Sequence, residues 1–138
     1  CARIVHKIVR KMNGKIFPYS NWKFNFTKSK KPAFDLMATG IGGVLYPPKS
    51  LHSAAFNIDE IKKTCLYADD IWLKFYENLN GKKVVWSPCE CPEPAEITES
   101  QIVSLNSKNI DFNGNDNYIK NMEQKLHICI DMRNEFHI

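Results

Sequence analysis

The spacing of apolar residues near the start of the chain predicts a β-hairpin. Residues 2–9 are rich in β-branched side chains, and an apolar run resumes at 15–17, beyond Asn13 and Gly14. Asn-Gly pairs tolerate the positive φ angles of a type I′ turn, whose twist matches the strands that it joins. A further strand signal, Lys-Val-Val-Trp, lies at 83–86. We therefore expect a short mixed sheet that includes a hairpin.

Helical periodicity is found in the middle of the chain and towards its end. The clearest helix spans 68–79 and stops before Gly81, which suits a left-handed cap. Its apolar face is formed by Ile71, Trp72, Phe75 and Leu79. Other helices are predicted at 53–65, at 117–130 with Asn115 or Asp116 as a cap, and more weakly at 100–105. Three to four helices with a short sheet place the chain in the α/β (α+β) class.

A glycine-rich segment at 39–48 is the most unusual part of the sequence. It contains Gly40, Gly42 and Gly43 in front of a short apolar run that Pro47 and Pro48 terminate, which predicts a short buried strand. Glycine is needed where φ is positive or where another backbone or a ligand approaches closely. The glycine spacing fits neither a P-loop nor a dinucleotide-binding fingerprint.

Length and cysteine usage set the class of protein. With 138 residues, 43% of them apolar, residues 1–138 are expected to form a single domain. The stretch 87–99 holds three prolines and two cysteines, and we expect it to be an irregular loop. Five cysteines without a disulfide-framework spacing indicate reduced thiols in the cytoplasm. Cys89 and Cys91 are separated by one residue, too few for the usual zinc pair, so no metal site is expected.

Basic residues are concentrated at the start of the chain. Residues 1–34 contain nine Lys or Arg and no acid, although the whole chain has a net charge of only +4. One interpretation is an ordinary solvated face. The other is a surface for anions, such as nucleic acid, anionic lipid headgroups or a phosphorylated substrate.

Asp69 and Asp70 open the helix predicted at 68–79, and two interpretations of the pair stand side by side. Acids in a first helical turn satisfy free N–H groups and complement the helix dipole, so capping explains one of them. Alternatively, a carboxylate held beside a second one has a raised proton affinity, which suits a general base.

Two motifs stand out, the run Gly-Ile-Gly-Gly-Val-Leu-Tyr-Pro-Pro at 40–48 and the run Ala-Asp-Asp-Ile-Trp at 68–72. Together they resemble the C-terminal part of a family of bacterial glycosyltransferases with the GT-A fold, of the family 2 kind found in surface and capsular polysaccharide biosynthesis. The segments 3–22 and 115–121 also resemble this family, so that the similarity covers most of the chain and is weak only between 87 and 105.

The resemblance implies that the chain is the acceptor-binding C-terminal half of a longer transferase. The family's nucleotide-binding half carries an Asp-x-Asp motif that holds a divalent cation, Mg or Mn, on the donor diphosphate. This sequence contains no such motif, so we expect the chain alone to bind no metal ion and to turn over little or no substrate. The implied partners are a nucleotide-sugar donor and a saccharide or lipid-linked acceptor.

The resemblance also implies roles for particular residues. Asp70 is expected to be the catalytic base, with Asp69 orienting it or capping the helix. The expected substrate-binding residues are Gly40, Gly42, Gly43, Tyr46 and Trp72, the glycines making room for a sugar and the aromatic rings stacking on one. Aromatic residues at such spacing are more often part of the core, and this alternative stays open for Tyr46 and Trp72. His52 is expected to be a cap or surface residue rather than a catalyst.

The competing hypothesis is a non-catalytic module in which the basic segment 1–34 binds nucleic acid or anionic lipid. Trp22, Phe24 and Phe26 alternate with lysines there, as in sites that stack bases of single strands. This hypothesis explains the basic segment but not the glycines. We therefore expect no nucleic acid partner, and a peripheral contact of 1–34 with the inner face of the membrane. A sheet edge left open by the missing half is expected to favour self-association.

Overall fold

The apolar residues near the start of the chain form β1 (Val5–Lys7), which pairs with β2 (Leu36–Ala38) in an antiparallel sheet of two strands. The structure is a computed structural model that describes residues 1–88 and 114–131. In the register, Val5 lies opposite Ala38, and all of β2 is buried. Within the described residues the sheet is antiparallel, whereas the sequence pattern predicts a mixed one. The coarser prediction, an α/β composition with a short sheet and helices, is confirmed.

The predicted hairpin is present only as a tight loop. The chain turns at Gly14, whose φ is +81°, and a single antiparallel bridge joins Arg10 to Ile16. Pro18 follows two residues later and has no N–H with which to extend the pairing. The partner of β1 is therefore β2, nearly thirty residues further along, rather than the segment after the Asn-Gly turn.

Helix α1 (Ile58–Thr64) begins after Asn57, whose side-chain oxygen accepts a hydrogen bond of 3.2 Å from the Glu60 N–H. Asn57 also ends a 3₁₀ turn over Ser53–Phe56. The single helix predicted for 53–65 is therefore divided into two, because Asn57 leaves helical geometry to act as the cap.

Helix α2 (Asp69–Leu79) forms as predicted and is the central element of the fold. It is followed by Gly81 with a φ of +62°, as expected for a left-handed cap. The helix packs against β2, the turn at Ser53–Phe56 and the last helix. Its most deeply buried apolar residues are Ile71, Trp72, Phe75 and Tyr76.

Helix α3 (Gly114–Leu126) begins three residues earlier and ends four residues earlier than predicted. It stops before His127, whose φ of +54° is not helical. The predicted cap at Asn115 or Asp116 is wrong, because both residues lie inside the first turn. Asp116 instead accepts a hydrogen bond of 2.8 Å from the Tyr19 N–H, which ties α3 to the start of the chain.

The larger of two apolar clusters connects the helices to the N-terminal segment. Ile8, Trp22, Met37, Phe75, Met122 and Ile130 are among its buried members. Burying such side chains contributes roughly 1.5–3 kcal/mol each. Beside this cluster, Arg10 forms a bidentate ion pair with Asp131, which is fully buried. The core thus holds together segments that are far apart in the sequence.

Two predicted strands form only isolated bridges. Val84 pairs with Ala33, and Trp86 pairs with Ala2, within the stretch 83–86. The glycine segment is not a buried strand either. Gly40–Gly42 form a 3₁₀ turn, and the positive φ of Gly43 at +88° interrupts extended backbone. Within this segment, Ile41 and Leu45 are 71% and 65% exposed.

The remaining sequence predictions lie outside the described residues. These are the helix at 100–105, most of the irregular stretch 87–99, and both cysteines of the pair at 89 and 91. Across 1–88 and 114–131, no helix has the length and apolar character needed to span a bilayer.

Candidate active site

The first turn of α2 places Asp70 directly against the glycine segment. The Gly40 N–H donates a hydrogen bond of 2.9 Å to Asp70 Oδ1. Asp70 is half-buried, whereas Asp69 beside it is exposed. The N-cap of α2 is Ala68, which has no side-chain acceptor. The two acids thus occupy different environments. Asp69 is exposed at the N-terminus of the helix, the positive end of the helix dipole, whereas Asp70 faces the glycine segment.

The surroundings of Asp70 increase its affinity for a proton. Burial raises the pKa of Asp70 to about 6, with a further contribution from the charge of Asp69, while the hydrogen bond from Gly40 acts in the opposite direction. Such a carboxylate is ionised at neutral pH yet accepts a proton more readily than an exposed aspartate. These are the properties required of a general base.

Two tyrosines lie within electrostatic range of Asp70. Burial and the charge of Asp70 raise the pKa of Tyr19 to about 12. Burial also raises the pKa of Tyr46, followed by the charges of Glu77, Asp70 and Asp69. Both phenols keep their protons at neutral pH and are able to donate hydrogen bonds. Tyr46 was expected at the site from the sequence, but Tyr19 was not, since only the packing of its loop brings it to α2.

Each of the three glycines is required at its position for a different structural reason. A Cβ on Gly40 would lie 3.3 Å from Asp70 Oδ1, so the missing side chain allows the close approach of the carboxylate. A Cβ on Gly42 would lie 2.6 Å from Ile4 Cγ1. Gly43 is required by its positive φ. Of the three, only Gly40 is brought to the candidate base, and Gly42 makes room for Ile4.

Gly42→Ala is expected to destabilise the protein by about 1–3 kcal/mol, because the added methyl group overlaps the Ile4 side chain. The measurement is the free energy of unfolding in urea. The matched control repeats the substitution in an Ile4→Ala background, which removes the two outer carbons of the clash. There the cost is expected to fall by about 1 kcal/mol or more. An equal cost in both backgrounds would contradict the packing of Gly42 on Ile4.

The structure favours the core interpretation for Trp72. Its side chain is 1% exposed, and its indole N–H donates a hydrogen bond of 2.9 Å to the Ala55 carbonyl oxygen. The ring packs against Tyr76, with 4.6 Å between centroids. A ring so enclosed has no free face for a sugar, so the expected stacking role is corrected to a structural one.

His52 acts as a cap, as expected. Its Nδ1 accepts a hydrogen bond of 3.2 Å from the Ala54 N–H at the start of the 3₁₀ turn. This contact accounts for the side chain without a catalytic role.

Asp70 begins a stripe of charged residues along α2 that sequence analysis missed. Lys74 and Glu77 follow at the helical spacing of four and three residues, and they are only 1% and 7% exposed. Lys74 Nζ lies 3.9 Å from Glu77 Oε2, too far for a hydrogen bond. Burial lowers the pKa of Lys74 to about 8. The i, i+4, i+7 spacing of these charged residues was the available signal. From sequence alone, however, a stripe of charged residues on a helix is expected to face solvent.

The N-terminal basic segment is partly used inside the fold. Lys7 pairs with Asp35 at 2.7 Å, and Arg10 pairs with the buried Asp131. Trp22 is 4% exposed, and its indole N–H donates to the Phe17 carbonyl oxygen. The most favourable ring for stacking a nucleic-acid base is therefore enclosed in the core.

In the portion of the chain that the structure describes, no three His, Cys, Asp or Glu side chains are grouped so as to hold a metal ion. The divalent cation implied by the glycosyltransferase resemblance therefore has no fitting ligand set among these residues. Asp69 and Asp70, the adjacent pair, point to different environments.

Comparison with known proteins finds no family model, no curated protein and no solved structure that matches this chain.

Proposed function

We propose that this chain provides the acceptor side and the general base of a nucleotide-sugar-dependent glycosyltransferase. The observation that carries the proposal is the hydrogen bond between the Gly40 N–H and Asp70 Oδ1. It joins the two motifs on which the family resemblance rests, although they are thirty residues apart. The raised pKa of Asp70, about 6, is the property that a base in this position needs.

In the proposed reaction, an acceptor hydroxyl lies against Asp70 and gives up its proton as its oxygen attacks the anomeric carbon of the donor sugar. The new C–O bond forms while the bond to the nucleoside diphosphate breaks, and the leaving group departs with the electron pair. The proton ends on Asp70. The Gly40 N–H holds Oδ1 in place, so that the other carboxylate oxygen, Oδ2, is the one that receives the proton.

The neighbours of Asp70 have supporting roles in this scheme. The charge of Asp69 keeps the proton affinity of Asp70 high. The phenol groups of Tyr19 and Tyr46 donate hydrogen bonds that orient the acceptor. The reaction takes place in the cytoplasm, and basic side chains of 1–34 contact anionic lipid at the inner face of the membrane.

The experiment that tests the proposal uses the full-length protein, with a panel of UDP- and GDP-sugars and saccharide acceptors. Acceptor-dependent release of nucleoside diphosphate is the expected result. The isolated chain is expected to transfer little sugar, since it lacks the Asp-x-Asp motif. Salt-sensitive binding of oligonucleotides without sugar transfer would instead support a binding module.

The pH dependence follows from the pKa of Asp70. Below about pH 6 the carboxyl group is protonated and has no capacity to accept the hydroxyl proton; above it the carboxylate is ionised and active. We therefore expect kcat/KM to rise through an inflection near pH 6 and to level off towards neutrality. The measurement is initial rates of transfer across this range. A profile that stays flat between pH 5 and pH 7 would exclude Asp70, with its raised pKa, as the base.

A further inference from the structure

A cavity of about 420 Å³ lies beside the second half of α2. Its walls are mainly apolar and include Ala38, Val44, Leu45, Pro47, Pro48 and Val84. Tyr46, Ser50 and Glu77 supply polar groups, and Lys82 and Lys83 add positive charge. The volume falls near the lower end of the roughly 300–1,000 Å³ typical of sites for small molecules.

Glu77 gives this cavity an unsatisfied acceptor. The residue is 7% exposed, and its Oε2 has no hydrogen-bond partner among the described residues. Lys74 Nζ, the nearest cation, is 3.9 Å away and is likewise without a hydrogen-bond partner there. Buried polar atoms in native proteins are nearly always hydrogen-bonded, because an unmade bond costs about 1–3 kcal/mol. A cavity ligand with hydroxyl donors would satisfy this acceptor once a rotation of the Glu77 carboxylate turns its enclosed Oε2 towards the cavity.

We propose that the cavity binds a sugar ring of the acceptor, with a ring hydroxyl donating a hydrogen bond to Glu77; this rests on the proposed glycosyltransferase function. The apolar walls suit the C–H face of a sugar ring, and Tyr46 and Ser50 are further partners for its hydroxyls. The two lysines disfavour a cationic amine, which would otherwise be the natural partner of a buried carboxylate.

The position of the cavity defines the size of the acceptor. Asp70 and Glu77 are seven residues apart on one helix, which separates their Cα atoms by a rise of about 10 Å along the helix axis. The charges of both acids raise the pKa of the Tyr46 phenol, so Tyr46 lies within electrostatic range of both. Ten ångströms exceeds the length of one pyranose ring. The ring in the cavity is therefore a different one from the ring that reacts at Asp70, and the acceptor is an oligosaccharide of at least two sugars.

The test is binding of neutral disaccharides by the complete protein. Cellobiose, maltose, lactose and chitobiose are titrated to millimolar concentration while the methyl NMR signals of Val44, Leu45 and Val84 are followed. At least one disaccharide is expected to shift these signals, and methyl glycosides of single sugars are expected to bind at least about tenfold more weakly. If none of the disaccharides shifts them, the proposal is overturned.

Two isosteric substitutions assign the binding to Glu77. Glu77→Gln is expected to weaken disaccharide binding about tenfold or more, because the amide is a poorer acceptor for a hydroxyl. The matched control is Glu123→Gln, which removes the charge of a half-buried glutamate lining a separate cleft and is expected to leave binding unchanged. Equal binding by both variants would contradict the role of Glu77. If Glu77→Gln fails to fold, the methyl signals of the unaltered protein still decide.

This result and that of the proposed function are separable. Disaccharide binding at the cavity together with full sugar transfer by Asp70→Asn would support the cavity as a sugar-binding site and refute Asp70 as the general base. Loss of sugar transfer in Asp70→Asn without any disaccharide binding would support Asp70 as the general base and refute the cavity as an acceptor site.

Discussion

Asp70→Asn in the complete protein is expected to lower the rate of sugar transfer by about 10²- to 10⁴-fold, the usual contribution of a general base. The amide has nearly the same shape and still accepts the hydrogen bond from the Gly40 N–H, so the local backbone keeps its position. It is unable, however, to take a proton from the acceptor. Nucleotide-sugar binding is expected to change less than about twofold, because Asp70 belongs to the acceptor side in this scheme.

The control for this prediction is Asp69→Asn. Asp69 is the neighbour of Asp70 and carries the same charge, but it is exposed. Its removal lowers the proton affinity of Asp70 only in part, and we expect less than about a tenfold loss of transfer. Initial rates and donor titrations of the two variants provide the comparison. Wild-type activity in Asp70→Asn, or a larger loss in Asp69→Asn, would refute the assignment of the base.

Trp72→Ala is expected to lower the free energy of unfolding by about 3–5 kcal/mol, the range for removal of a buried tryptophan or phenylalanine. The substitution leaves a cavity against Tyr76 and frees the Ala55 carbonyl oxygen of its partner. Since many domains are stable by only about 5–15 kcal/mol, this loss removes a large share of the total. Urea unfolding followed by circular dichroism measures it.

Phe56→Ala is the matched control for the tryptophan. Phe56 is an aromatic residue in the adjacent 3₁₀ turn, but it is 71% exposed. Its removal is expected to change stability by no more than about 0.5 kcal/mol. If Trp72→Ala were as mild as Phe56→Ala and instead weakened saccharide binding, the core assignment would be wrong and the stacking role would be restored.

Local signals in the sequence predicted the elements that depend on local interactions. The span of α2 and its cap at Gly81 follow from helical periodicity and from the conformational freedom of glycine, and both were correct. The division of the helix at 53–65 was missed because Asn57 has two functions, ending one turn and capping the next. The partner of β1 was wrong, since a favourable turn at Asn13-Gly14 does not compensate for a missing N–H at Pro18.

For the candidate site, the sequence identified Asp70 and the glycine segment but not how they meet. Tyr19, near Asp70, and Glu77, further along α2, carried no local signal that distinguished them from surface residues. Trp72 was also ambiguous from the sequence, because an aromatic residue next to two acids is compatible with both a core position and a binding site. The structure distinguishes a core residue from a surface residue here because both faces of α2 are buried. That burial comes from the segments packed around the helix.

What the sequence by itself determined is helix α2, the turn at Gly14, the cap at Gly81, and a pair of acids at the start of one helix. These depend on interactions between residues a few positions apart, which periodicity and capping record. Only the tertiary structure decided that Asp70 accepts a hydrogen bond from Gly40, that Lys74 and Glu77 are buried, and that Trp72 is enclosed. Such properties depend on contacts between distant segments, and proton affinity in particular is determined by the solvent that those contacts exclude.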